Sequence, residues 1–157
     1  MSCVYAKDVD FTVLHTNDLH SYIGGIGPDK LFTKKENDDD PVLGHYSRLT
    51  TAIKSQKKML KIKNEPYLLL DAGDFYAGTL FQLLGPDEKV PVIPELEFFT
   101  FNEYDFSILG NHEFDAKDIG LFNMLNKINN SKNEFKILSS NMIFNNENSK
   151  LKKFQTL

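Results

Sequence analysis

Four apolar runs with strand character punctuate the chain, and stretches of helical spacing lie between them. Phe11-Thr12-Val13-Leu14-His15-Thr16 is rich in β-formers, and its Phe11, Val13, Leu14 pattern predicts a strand covered on both faces. Tyr67-Leu68-Leu69-Leu70 is a continuous apolar run suited to a central parallel strand. Phe106, Ile108 and Leu109 form a third, buried strand ending at Gly110, and Phe135-Lys136-Ile137-Leu138 a fourth. A helix is predicted from Gly44 to about Lys63, with Leu49, Ala52, Ile53, Gln56 and Leu60 on its apolar face. Its Lys54, Lys57, Lys58 and Lys61 fall to an ordinary solvent face. Asn64-Glu65-Pro66 breaks that helix. Phe75 to Leu84 reads as a short helix or irregular segment ended by Gly85-Pro86-Asp87.

Pro94 suits the first turn of a further helix, because its missing N–H has no partner there anyway. Leu96, Phe98 and Phe99 give this helix an apolar face up to Asn102, and Phe98, Phe99, Phe101 and Phe106 read as core packing rather than an aromatic binding box. Asp115 or Asp118 would cap a last helix bearing Leu121, Phe122, Leu125 and Ile128. Ser21 to Gly44 is a polar excursion. Its Asp38-Asp39-Asp40 run lacks the alternating spacing, central glycine and closing glutamate of a calcium loop, and reads as solvated. The tail from Asn145 to Leu157 reads as a ragged end, and neither an internal repeat nor a second domain is visible. Strands alternating with helices predict an α/β fold with right-handed crossovers, whose functional loops gather at the carboxyl ends of the strands.

With 157 residues, 41% of them hydrophobic and including 13 Phe and 6 Tyr, the chain has the size and the apolar material of one ordinary domain. A net charge of −4 gives no basic field to argue for nucleic acid, and no stretch approaches the roughly 18 apolar residues of a membrane span. The single cysteine, Cys3, excludes an internal disulfide framework and a multi-cysteine zinc site. Met1 to Asp8 lacks the apolar region of a secretory signal, and the compartment stays unassigned. Asn129-Asn130-Ser131 matches a glycosylation triplet, of a kind that arises readily in an Asn-rich tract.

The chemistry sits where the apolar runs stop. The first strand is followed by Asn17-Asp18-Leu19-His20, the second by Asp71-Ala72-Gly73-Asp74 and the third by Asn111-His112-Glu113-Phe114-Asp115. Asp18 and His20 are two apart, so an extended backbone would point both side chains the same way, toward a shared ion. Gly73 removes a side chain where the backbone would swing Asp74 into a crowded site. His112 and Asp115 are three apart, about one helical turn, so the carboxylate could hold the imidazole in one orientation. His45 and Arg48 are minor site candidates. Singly, each cluster also reads as turn or cap residues; three in one chain, all at strand ends, read as one site.

Oxygen and imidazole donors without thiolates suit zinc, manganese or iron better than calcium. Two such ions roughly 3.5 to 4 Å apart would activate a water and stabilise an in-line displacement at phosphorus, with Asp74 the natural bridging carboxylate.

Leu14-His15-Thr16-Asn17-Asp18-Leu19-His20, Leu69-Leu70-Asp71-Ala72-Gly73-Asp74 and Leu109-Gly110-Asn111-His112-Glu113-Phe114-Asp115 resemble the successive signature blocks of the 5'-nucleotidase family of calcineurin-like metallophosphoesterases. Gly44 to Arg48 resembles its Gly-x-x-x-Arg block and Ile137 to Asn141 its next strand. The resemblance implies an α/β/β/α sandwich that hydrolyses nucleoside monophosphates such as AMP, or related nucleotide esters, with two divalent ions, zinc first among the options. It implies Asp18 and His20 on the first metal, Asp74 bridging, Asn111 on the second, and His112 with Asp115 as the dyad that stabilises the transition state.

Family members continue with two further histidine motifs and a carboxyl-terminal domain that stacks the base. The only histidines here are His15, His20, His45 and His112. The expectation is therefore residues 1–157 as a partial catalytic domain, core about 9–144, the amino-terminal half of the sandwich. Its second metal shell would be incomplete, its activity alone impaired, and its natural complement a missing second half or a complementary chain. Unsatisfied acids Asp18, Asp71, Asp74, Glu113 and Asp115 would repel one another. Family members are often secreted, periplasmic or on the cell surface. The alternatives are a noncatalytic metal-binding or partner-binding remnant of the fold, and a structural domain whose strand-end acids merely cap helices.

Overall fold

The computed structural model describes residues 9–25, 44–130 and 135–142. Within them, β1 (Thr12–Thr16), β2 (Tyr67–Asp71), β3 (Phe106–Ile108) and β4 (Lys136–Leu138) form one parallel sheet in chain order. Three helices make the crossovers: α1 (Tyr46–Lys63), α2 (Pro94–Phe101) and α3 (Lys117–Asn130). Short 3-10 turns at Leu80–Leu83 and His112–Phe114 complete the elements. The Asp38 to Asp40 run, Ser131 of the glycosylation triplet and the tail from Asn145 lie outside the described residues.

Local chemistry sets the helix ends. His45 caps α1 with its ring Nδ1, which accepts from the Ser47 N–H at 3.3 Å, and Lys61 and Lys63 oppose the dipole at the other end. Asn64 stops the helix in the left-handed conformation, donating its N–H to the Leu60 and Lys61 carbonyls. Pro94 opens α2 with Glu95 and Glu97 in the first turn.

All three helices lie on one face of the sheet. Tyr46, Ile53, Leu96, Phe98, Phe99, Leu121, Met124 and Leu125 form their side of a single core, against Leu69 of β2 and, at its edge, Leu14 and Ile137. Phe99 is fully enclosed, its ring against those of Phe75, Tyr104 and Phe135. The other face is open among the described residues: Val13 is 46% exposed, Ile108 45% and Leu138 49%. The expected cover on both faces of β1 is thus met on one face only. What the described residues supply is one helical layer on one sheet, the first half of the α/β/β/α arrangement.

Four side chains depart from their expected places. Lys57, expected in solvent, is buried; its Nζ donates to the Asn102 carbonyl at 2.6 Å and the Glu103 carbonyl at 3.1 Å, so a cation from α1 closes the C-terminal end of α2. Gln56 and Ala52, expected on the apolar face, are exposed. Phe101, expected in the core, is exposed beneath the Lys54 ammonium, 4.0 Å from its ring centroid.

Candidate metal centre

Beneath the strand tips runs a polar row set by register. Thr16, Asp71 and Ser107 are paired across β1, β2 and β3 and so point to the same, covered face. The Thr16 hydroxyl donates to Asp71 Oδ2 at 2.7 Å, the Ser107 hydroxyl to Oδ1 at 2.9 Å and the Gly73 N–H to Oδ1 at 3.0 Å. Burial pushes the Asp71 carboxyl above its ordinary pKa, and these three donors pull against it.

Above this row, the loop after β1 lies along the loop after β2. Asp18 N–H donates to the Gly73 carbonyl, His20 N–H to the Asp74 carbonyl and Ser21 N–H to the Phe75 carbonyl, at 3.1, 3.0 and 2.9 Å. This docking replaces the extended Asp18–His20 backbone expected from spacing: Asp18 (φ 53°), His20 (φ 46°) and Ser21 (φ 53°) are all left-handed. Asp18 and His20 still meet, with Oδ1 3.6 Å from Nε2, and the Asn17 amide donates to the Asp18 carboxylate.

The loop after β3 closes from the other side, and two glycines make that approach possible. Gly73 has φ 91°, and a Cβ there would stand 2.5 Å from the Gly110 nitrogen; a Cβ on Gly110 would stand 2.2 Å from Asp74 Oδ1. Glu113, fully buried, locks the pair. Its Oε2 accepts from the Gly110 N–H at 2.6 Å and the Asp74 N–H at 3.0 Å, and its Oε1 from the Tyr76 N–H at 2.9 Å. Burial raises the Glu113 pKa, these donors lower it, and the charge of Asp74 adds to the rise. The expected repulsion among the acids is therefore real in sign, but burial is the larger cause, and Asp71 and Glu113 act as receptors for loop N–H and hydroxyl groups.

Six sequence-predicted residues can now be placed. His20, Asp74 and His112 each offer a ligand atom within 4.8 Å of the others, and the His20 and His112 rings meet edge to face with centroids 4.9 Å apart. Asp74 Oδ1 also accepts the His112 N–H at 2.9 Å. Asp18 joins this group only through His20. Asn111 stands exposed just before the His112–Phe114 turn. Asp115, one of two expected caps for the last helix, instead ends that turn, and its Oδ2 lies 2.7 Å from His112 Nδ1. That bond is the chief cause of the raised His112 pKa; desolvation opposes it, and the charges of Asp115, Asp74 and Glu113 reinforce it.

With Nδ1 engaged, His112 presents Nε2. Imidazole and carboxylate donors so gathered can hold a divalent ion of the zinc, manganese or iron type. The minor candidates His45 and Arg48 line, with Asp18, Leu19 and Tyr22, a recess of about 430 Å³ beside the cluster. Sequence reasoning missed the bracing roles of Asp71 and Glu113.

The family model described as calcineurin-like phosphoesterase matches residues 11–154. The chain is 35% identical over 139 residues to snake venom 5'-nucleotidase of Crotalus adamanteus, covering 88% of this chain and 21% of that protein. To the 5'-nucleotidase of Rattus norvegicus it is 38% identical over 138 residues, with 87% and 21% covered. Among solved structures, the NAD nucleotidase of Haemophilus influenzae superposes with a TM-score of 0.64 at 25% identity, covering 90% of this chain and 22% of that one. The chain thus spans about a fifth of the length of the relatives it matches.

Proposed function

Because the chain belongs to the calcineurin-like phosphoesterase family, we propose that it carries the metal-binding part of a 5'-nucleotidase-type phosphoesterase, acting on nucleoside monophosphates such as AMP or on related nucleotide esters. The observation that carries this reading is the meeting of His20, Asp74 and His112 within 4.8 Å at the strand tips, with Asp115 on the far nitrogen of His112.

In this reading Asp18 and His20 would hold one divalent ion, Asp74 would be the carboxylate shared with a second, and Asn111 would supply a ligand to the second. Bound there, the ions contribute Lewis acidity toward water and the phosphoryl oxygens. Asp115 fixes the His112 tautomer and orientation, leaving Nε2 to donate to a phosphoryl oxygen as charge builds on it. The raised pKa keeps that proton in place to higher pH. Glu113 and Asp71 hold the loops after β2 and β3 against one another through the Asp74, Gly110 and Gly73 N–H groups. Zinc is the first choice of metal, manganese and iron the next, since the donor set lacks thiolates.

A complete two-ion shell needs more ligands than these, and no histidine follows His112 in the sequence. We therefore expect the chain alone to bind metal but to turn over weakly or not at all. The test is calorimetry with zinc and manganese on the purified chain, with phosphate release from AMP followed on the same sample. Metal binding without appreciable phosphate is the expected result. Robust hydrolysis would overturn the expected impairment, and failure to bind either ion would sink the metal-site reading. The remnant reading, in which this fold pairs with another layer without catalysis, is favoured by one observation, the open apolar sheet face.

A further inference from the structure

The turn that carries His20 is bent in a way its residues resist. His20 and Ser21 both occupy the left-handed region, where the Cβ of an L-residue crowds the following carbonyl. Such a conformation persists only where its surroundings over-determine it. One short stretch, Asp74 to Thr79, supplies that restraint from both of its ends. At the start, the Asp74 and Phe75 carbonyls accept the His20 and Ser21 N–H groups at 3.0 and 2.9 Å. At the finish, the Thr79 hydroxyl donates to the Ser21 carbonyl at 2.6 Å; that carbonyl also accepts the Ile23 N–H at 2.8 Å.

Gly78 lets the two segments come this close. Its φ of 119° suits glycine and strains other residues, and a Cβ there would stand 2.5 Å from the His20 carbonyl oxygen and 3.0 Å from the His20 Cβ. The stretch is anchored on its far side as well. The Gly78 N–H donates to Gln82 Oε1 at 2.8 Å, and the Thr79 hydroxyl accepts the Phe81 N–H at 3.3 Å, capping the Leu80–Leu83 turn. One hydroxyl thus serves as donor and acceptor at once, and ties that turn to the His20 bend. The loop that carries Asp74 at one end grips the His20 backbone with the other, so the separation of these two candidate ligands is a property of the loop.

We propose that Thr79 is a positioning residue, seated by Gly78: its hydroxyl on the Ser21 carbonyl holds the left-handed His20–Ser21 turn and so fixes where the His20 imidazole stands relative to Asp74 and His112. Thr79 acts through the backbone. Its consequence for metal rests on the metal-site reading above; its consequence for the His20 ring does not.

The test compares Thr79→Val, Thr79→Ser and Gly78→Ala in the full chain with two readouts. Without metal, NMR follows the contact between the His20 and His112 rings, whose centroids lie 4.9 Å apart. With zinc, calorimetry follows affinity. Thr79→Val keeps the shape and removes the hydroxyl; it is expected to diminish the ring contact and weaken zinc binding by about 10-fold. Thr79→Ser keeps the hydroxyl and should retain both, an outcome that packing by the Thr79 methyl would not give. Gly78→Ala drives a Cβ at the His20 carbonyl and should diminish both. An undiminished ring contact in a folded Thr79→Val chain, or its loss in Thr79→Ser, would overturn the proposal. Should Thr79→Val fail to fold, Gly78→Ala decides by the same readout. In the unsubstituted chain, absence of a contact between Gly78 and His20 protons would sink the proposal without any variant. If that chain binds no zinc, the metal-site reading falls, and the ring contact still judges the positioning role.

Discussion

The two faces of the sheet are made of similar residues and live in different surroundings. On the helical face Leu69 is 1% exposed and Ser107 1%; on the other, Leu68, Val13, Ile108 and Leu138 stand in solvent. Each strand feeds both faces by alternation, so the difference comes from the crossovers, which put every helix on one side. The strand-tip site is braced from that side, where the Asp71 carboxylate accepts from the Thr16 and Ser107 hydroxyls and the Gly73 N–H. Order at the tips is thus inherited from the covered face. The open face is apolar in the manner of a sheet built to meet a second layer.

The largest effect should come from matched truncations on the two faces. Phe99→Ala removes a ring packed against Phe75, Tyr104 and Phe135 and is expected to destabilise the metal-free chain by about 3–5 kcal/mol. Ile108→Ala, whose side chain is already half in water, is expected to cost less than about 1 kcal/mol. Urea denaturation of both variants measures the contrast. Equal losses would mean that the open face is covered in solution, and the comparison would break.

The same contrast explains what could be read from the sequence. The strands were legible because β-branched and aromatic runs stop at Gly, Asn and Asp, and the site was legible because three such stops carry ligand-type residues. The bracing was not. Asp71 follows an apolar run and reads as a turn acid; only its place two beyond Leu69, opposite Thr16 and Ser107, makes it a buried acceptor. Glu113 is buried because N–H groups from two other loop positions and Gly110 converge on it, a fact of tertiary structure with no local signal. Lys57 was legible in principle: it lies four beyond Ile53 and three before Leu60, on the apolar face, but its residue type argued for solvent. The continuous apolar pattern of β1 reads as cover on both faces, which states what the strand is suited to rather than what covers it.

A smaller but more specific effect is expected from the open face itself. Exposed apolar patches promote association, so the chain should self-associate with rising concentration and bind a hydrophobic dye. Val13→Lys with Ile108→Lys places two charges on that face while leaving the helical core untouched. The double variant is expected to sediment as a smaller species and to bind less dye, with unfolding free energy changed by no more than about 1 kcal/mol. Undiminished association would move the sticky surface elsewhere.

The finest contrast is in charge. Among the described residues, every carboxyl whose titration is clearly displaced, Asp71, Glu95 and Glu113, is buried and displaced upward, with burial the first cause. A carboxyl whose folded pKa lies above its unfolded value binds its proton more tightly when folded, so its contribution is complete below about pH 4, the unfolded range, and is lost as the pH rises through the folded value. His112, also raised, works in the same direction in the window above about pH 6.5. The metal-free chain should therefore melt at a lower temperature at pH 8 than at pH 5, against the habit of proteins held by paired surface acids. Glu95→Gln removes one of these carboxyls and should flatten the slope. A melting temperature that climbs with pH, or a slope unchanged in Glu95→Gln, would show that the buried acids of the covered face are not what sets its response to protons.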